Sequence, residues 1–175
     1  MRDEDRAAFR DGVRDHDGGI YTAVEAVFAD RAAAKAKYGH IASWDTSAIT
    51  IMRCLFTNRA DFNEDISRWD VSNVKNMDFM FDGATSFNGD LSRWDVSNVK
   101  DMGYMFYNAT SFNGDLSLWA VGQVKDMAGM FCGATSFDRE LGGAWATSTA
   151  YKFSMFNNSP GSIAGKANDA NGTPQ

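Results

Sequence analysis

Apolar residues in this chain fall into step at a fixed interval. Trp44, Trp69, Trp94 and Trp119 lie 25 residues apart, and so do Met52, Met77, Met102 and Met127. Phe56, Phe81, Phe106 and Phe131 keep the same phase, as do Phe62, Phe87, Phe112 and Phe137. Polar positions repeat with them: the run from Ile66 to Asp90 starts again at Leu91. A period of this length signals units that cannot bury their apolar side alone and must cover one another.

Within one unit the pattern changes character. Leu91, Trp94 and Val96 fall in a stretch that alternates near its end, which predicts a short strand. Val99, Met102, Phe106 and Ala109 are spaced three to four apart after Ser97, which predicts about two helical turns with Ser97 as N-cap. Thr110 to Asp115 is rich in turn formers and returns the chain. The expectation is an α/β repeat solenoid of strand–short helix units of about 25 residues, with a parallel sheet on one side.

Residues 1–40 do not repeat. Phe9 and Val13, then Ile20, Val24, Val27 and Phe28 after Gly18-Gly19, have helical spacing. Asp30 suits the cap of a second short helix, and Gly39 suits its stop. This segment is expected to be a helical cap over the open end of the array. Residues 41–157 form the repeats. In the last unit Ala120 replaces Asp and Gly122 replaces Ser. Trp145 comes one residue late after Gly142-Gly143, and Phe153, Met155 and Phe156 keep the apolar face. Residues 158–175 are nearly devoid of apolar side chains and are expected to be a flexible tail.

Phe-Asn-x-Asp-(Ile/Leu)-Ser-x-Trp-Asp-Val-Ser-Asn-Val-x-x-Met-x-x-Met-Phe resembles the repeat of BspA-like leucine-rich-repeat surface proteins, including the mycoplasma-type lipoprotein repeat of unknown function. Tyr38-Gly39-His40-Ile41 before Trp44 resembles the usual lead-in to a first repeat. The resemblance covers residues 41–157. It implies a leucine-rich-repeat-like right-handed solenoid, an interaction or adhesion role for bacterial members, and no catalytic residues.

Charge narrows the partners. Lys and Arg number 17 against 23 Asp and Glu, a formal net charge of -6. Such a chain has no general attraction for nucleic-acid phosphate or anionic lipid. No apolar run is long enough for a membrane span. No secretory signal follows Met1, so either the protein stays inside the cell or the sequence is a mature or trimmed form, and an intracellular or organellar location is expected slightly ahead of the cell surface. Cys54 and Cys132 lie about three layers apart, on the order of 14 Å at the strand spacing. A disulfide needs less than about 7 Å, so none is expected.

Candidate chemistry is sparse. The Met columns read as core packing before soft-metal binding. The Trp column reads as core before a sugar-stacking platform. Asp65, Asp90, Asp115 and Glu140 form one acidic column, and Asp45, Asp70 and Asp95 another. Like charges at this spacing need compensation. Turn N–H groups, the lysines and arginines alongside, calcium or an acidic contact surface would each serve. Asn63, Asn88 and Asn113 are expected to bond main chain between layers. Val13 to Val24 lacks the carboxylates of a calcium loop. His16 and His40 have no metal-ligand spacing, and no nucleophile–base set or phosphate loop appears.

The functional expectation is a non-enzymatic protein-interaction module without cofactor or metal, serving as an accessory or scaffold subunit of a larger assembly. The alternative is a cell-surface adhesive or carbohydrate-binding repeat protein. The expected partner is another protein. Its contacts are expected at Arg68, Asp70, Arg93, Asp95, Leu118 and Ala120, the exposed positions beside core Trp and Val, ending in an apolar patch near Tyr104, Tyr107 and Leu118.

Overall fold

The computed structural model describes residues 19–175. Phe9, Val13, His16 and the start of the rejected calcium loop lie outside them. Helix α1, Ile20–Ala29, buries Ile20, Ala23, Val24 and Val27 along one face. Helix α2, Arg31–Tyr38, starts at Asp30, whose carboxylate accepts the N–H groups of Ala32 and Ala33 at 2.9 and 3.0 Å. It stops at Gly39, where φ is 79°. Both signals were in the sequence.

These helices lie against the first repeat. Phe28 packs on Phe62 at 6.0 Å, and the Arg59 guanidinium sits 4.5 Å above the Phe28 ring. Arg59 also pairs with Glu25, and Arg31 pairs with Asp61 and Glu64. The Tyr21 hydroxyl donates to the Arg53 carbonyl at 2.6 Å. Burial, with the Cys54 sulfur nearby, pushes the Tyr21 phenol up to about 12 against the pull of Arg53.

The expected α/β leucine-rich-repeat-like solenoid does not form. Among the described residues the only sheet is two-stranded, β1 (Glu140–Leu141) paired in parallel with β2 (Ser162–Ile163). The only later helix is α3, Ala144–Thr147. Residues 44–120 contain no strand and no helix, only turns and single-residue parallel bridges that link Ile51, Asn76, Asp101, Asp126 and Tyr151 in series.

The reason lies in the backbone. Met105 donates to Met102 and Tyr107 to Tyr104, three residues back rather than four. Tyr104 and Asn108 are left-handed, with φ of 56° and 52°, which no α-helix continues through. Ser97 caps nothing: its N–H donates to the Asp95 carboxylate. Leu91 to Trp94 is likewise a turn, with Trp94 donating to Leu91. A chain of tight turns buries one residue in every three or four, and so imitates the helical period.

The turns are joined across the 25-residue period instead. Met77, Phe79, Phe81 and Gly83 donate to Asp101, Gly103, Met105 and Tyr107 at 2.8–2.9 Å. Met102, Tyr104, Phe106 and Asn108 donate in the same way to Asp126, Ala128, Met130 and Cys132. Inside this framework Phe106 lies face to face with Phe112 at 3.9 Å and with Phe81 at 5.4 Å. Trp69, Trp94 and Trp119 are buried and each reaches back one unit with its indole N–H: Trp69 to Ile41, Trp94 to Ile66, Trp119 to Leu91. Trp145 does the same to Leu116. The extra residue before it is taken up at Gly143, where φ is 54°.

Residues 158–175, expected to be flexible, are placed against the last unit. Ser162 donates to Arg139, Phe156 donates to Gly172, and Ile163 is fully buried. One apolar side chain in the right register, with main-chain pairing, anchors a segment whose composition promised nothing.

Candidate partner surface

Asp65, Asp90 and Asp115 each accept the N–H of the serine two residues on, at 2.9–3.0 Å. Asp45, Asp70 and Asp95 do the same for Ser47, Ser72 and Ser97. The six aspartates of the two acidic columns are therefore turn caps, while Glu140 lies exposed in β1. Hydrogen bonds from the serine N–H and hydroxyl hold Asp90 and Asp115 below the usual carboxylate range. The serine hydroxyl leads the same effect at Asp65 and Asp95. Asn63 and Asn88 accept the N–H of Asn88 and Asn113, one unit on, at 2.9 Å. That is the between-layer role expected of them.

A further carboxylate row was not singled out in the sequence. Asp101 and Asp126 cap Gly103 and Ala128, and Asp78 pairs with Arg53 at 3.0 Å. Burial, and then Asp101, raise Asp78 against the pull of Arg53. Burial alone raises Asp82. Among the described residues no group of three or more His, Cys, Asp or Glu is arranged to hold a metal ion. His40 accepts the Ala42 N–H through Nδ1. Cys54 and Cys132 are free thiols.

The six expected contact residues are all exposed. Arg68, Arg93 and Leu118 take the same place in three successive turns, each just before a buried Trp. Leu118 is 85 % exposed, the most exposed large apolar side chain described. Asp70, Asp95 and Ala120 follow those Trp residues. They lie in irregular chain between two turns, not on a strand, so the face is a row of turns and the links between them. Asp70 and Asp95 also cap their turns, which ties their charge to local structure. At Ala120 the cap is absent, and Val121–Gln123 tightens into a short 3₁₀ turn.

The aromatic neighbours expected beside Leu118 have other partners. Tyr104 lies face to face with Phe79 at 4.9 Å and edge-on to Tyr107 at 5.8 Å. A Cβ at Gly129 would come within 2.5 Å of the Tyr104 ring. Tyr104 is thus wedged between the units on either side.

A second feature escaped the sequence reading. Lys125, Tyr151, Lys152, Phe153 and Lys166 line a common cavity. Phe153 was read as core but is 50 % exposed, while Met155 and Phe156 beside it are buried. Counting on by 25 from Met127 reaches Lys152, so the signal was present: a cation at a core position.

Among the described residues no helix is long and apolar enough to cross a membrane. Residues 22–145 match the family described as Mycoplasma protein of unknown function, DUF285. Searches of curated proteins and of solved structures find no match.

Proposed function

The chain belongs to the Mycoplasma family of unknown function DUF285, and from that premise we propose that it is a non-enzymatic protein-interaction module of the BspA-like repeat type. The observation that carries this reading is the contrast between a sealed core and a regular surface. The Trp, Met and Phe columns are buried, whereas Arg68, Arg93 and Leu118 recur at one exposed corner. A partner meets an exposed residue at the same corner of three successive units, arginine in two and leucine in the third.

The energetics suit a distributed contact. An exposed ion pair is worth about 0–1 kcal/mol, so several must act together. Leu118 adds exposed apolar area where the charged ladder ends, and arginine is among the residues that carry most binding energy at interfaces. The buried indoles argue against sugar stacking as the main activity.

The test compares pull-downs from native extract using the wild type, Arg68→Gln with Arg93→Gln, and Leu118→Asp. Asp70→Asn with Asp95→Asn joins them, because Asn keeps the turn cap and removes only the charge. The expected result is loss of a common partner set in the arginine and Leu118 variants. Retention of that set, with loss on Lys75→Glu and Lys100→Glu instead, would assign the contact to another face.

A further inference from the structure

Lys166, Thr173 and Pro174 border an open cavity of about 590 Å³ with Lys125 and residues 148–153. Three lysines line it, Lys125, Lys152 and Lys166, with no carboxylate in the lining. That is unexpected in a chain with a net charge of -6. None of these lysines is ion-paired to a side-chain carboxylate of the described residues.

Lys152 is the informative one. It continues the column Met52, Met77, Met102, Met127, every member of which is fully buried. Its ammonium donates to the carbonyls of Ser148 and Ala150 at 2.6 and 3.2 Å. Burial, and then the Lys166 charge, lower its pKa. Lys166 itself makes only a long bond, 3.4 Å, to the Gln175 main-chain oxygen. Two like charges held in one cavity are a cost that a bound anion removes.

Tyr151 and Phe153 add a second element. Their rings lie 6.3 Å apart and within 10° of parallel, and are 59 % and 50 % exposed. The same positions one unit earlier hold Asp126 and Ala128. A terminal surface that needed only polarity would not present two aromatic rings beside its lysines. Thr149 and Thr173 bring hydroxyl groups to the same lining.

We propose that this cavity binds a small phosphate ester carried on a planar ring. The lysines take the phosphate as point charges, and the exposed aromatic pair takes the ring. The site uses none of the residues assigned above to a protein partner.

The test is an NMR titration of the full chain with phenyl phosphate, inorganic phosphate and phenol. Expected is saturable binding of phenyl phosphate at about millimolar concentration or tighter. Shifts should centre on Tyr151, Lys152 and Phe153, with the other two probes at least about tenfold weaker. Lys125→Gln with Lys166→Gln should weaken phenyl phosphate about tenfold or more without changing the melting temperature. Phe153→Ala should weaken phenyl phosphate and leave inorganic phosphate unchanged. Bound ligand should also raise the Lys152 pKa, a readout that needs no variant. Equal affinity for inorganic and phenyl phosphate, shifts elsewhere, or no saturable binding would overturn the proposal.

Discussion

Each unit places two residues in the left-handed region, and their occupants differ in steric cost. One column runs Asn58, Gly83, Asn108, Gly133, Asn158, the two residue types that tolerate it best. The other holds Cys54, Phe79, Tyr104, Gly129 and Ser154, where a bulky residue costs on the order of 1 kcal/mol. In the first column Asn and Gly alternate for a packing reason. A Cβ at Gly133 would lie 2.1 Å from Asn108 Oδ1. Gly133→Ala should therefore lose about 1–2 kcal/mol from backbone strain and that clash. Adding Asn108→Gly should recover part of the loss, and urea denaturation of the single and double variants measures it. At the Trp column, Trp94→Ala removes a buried ring and its bond to Ile66. It should cost about 3–5 kcal/mol. A loss below about 1 kcal/mol would place the indole outside the core.

At the scale of the turn, carboxylates set the pH response, and the two groups oppose each other. Asp65, Asp90, Asp95 and Asp115 sit below their ordinary value of 3.8. Their stabilisation is present above 3.8 and is lost as pH falls through the lower folded values. Asp78 and Asp82 sit above 3.8. Their contribution is complete below 3.8 and is lost as pH rises through the folded values. Stability should thus rise slightly from neutral pH toward about 4 and fall below it. Asp82→Asn should raise the melting temperature at pH 7 and flatten the neutral flank. Thermal melts from pH 3 to 8 test this, and a monotonic rise toward neutral pH with no effect of the Asn variant would contradict it.

The turns also show what was legible in sequence. The helical caps at Asp30 and Gly39, the buried Trp and Met columns and the Asn and Asp roles could be read from residue type and phase. The turns that stand in place of the expected strand and short helix could not. Burial at Val99, Met102, Phe106 and Ala109 fits a helix or a run of turns equally well. Only the left-handed backbone at Tyr104 and Asn108 separates them, and Tyr104 is a poor advertisement for it. The exposed corners of the candidate surface followed from position relative to Trp. The lysine cavity did not, because it needs a segment whose composition reads as loose chain.

Across the whole molecule, order comes from contacts between units, not from elements within them. Main-chain bonds spanning 24 residues and rings in register join Met52 to the last unit. The aspartates of the acidic columns accept turn N–H groups, which compensates their charge without an ion. Chelator should leave the melting temperature unchanged, and a calcium-dependent rise of several degrees would make Asp65, Asp90 and Asp115 ligands. The pitch of the exposed corners depends on the same framework. The most direct test is NMR detection of couplings across hydrogen bonds in labelled protein. The account predicts couplings from the Phe81 nitrogen to the Met105 carbonyl carbon and from the Phe106 nitrogen to the Met130 carbonyl carbon, bonds of 2.8 Å. Couplings from Phe106 back to Met102, the signature of an α-helix within the unit, would contradict it.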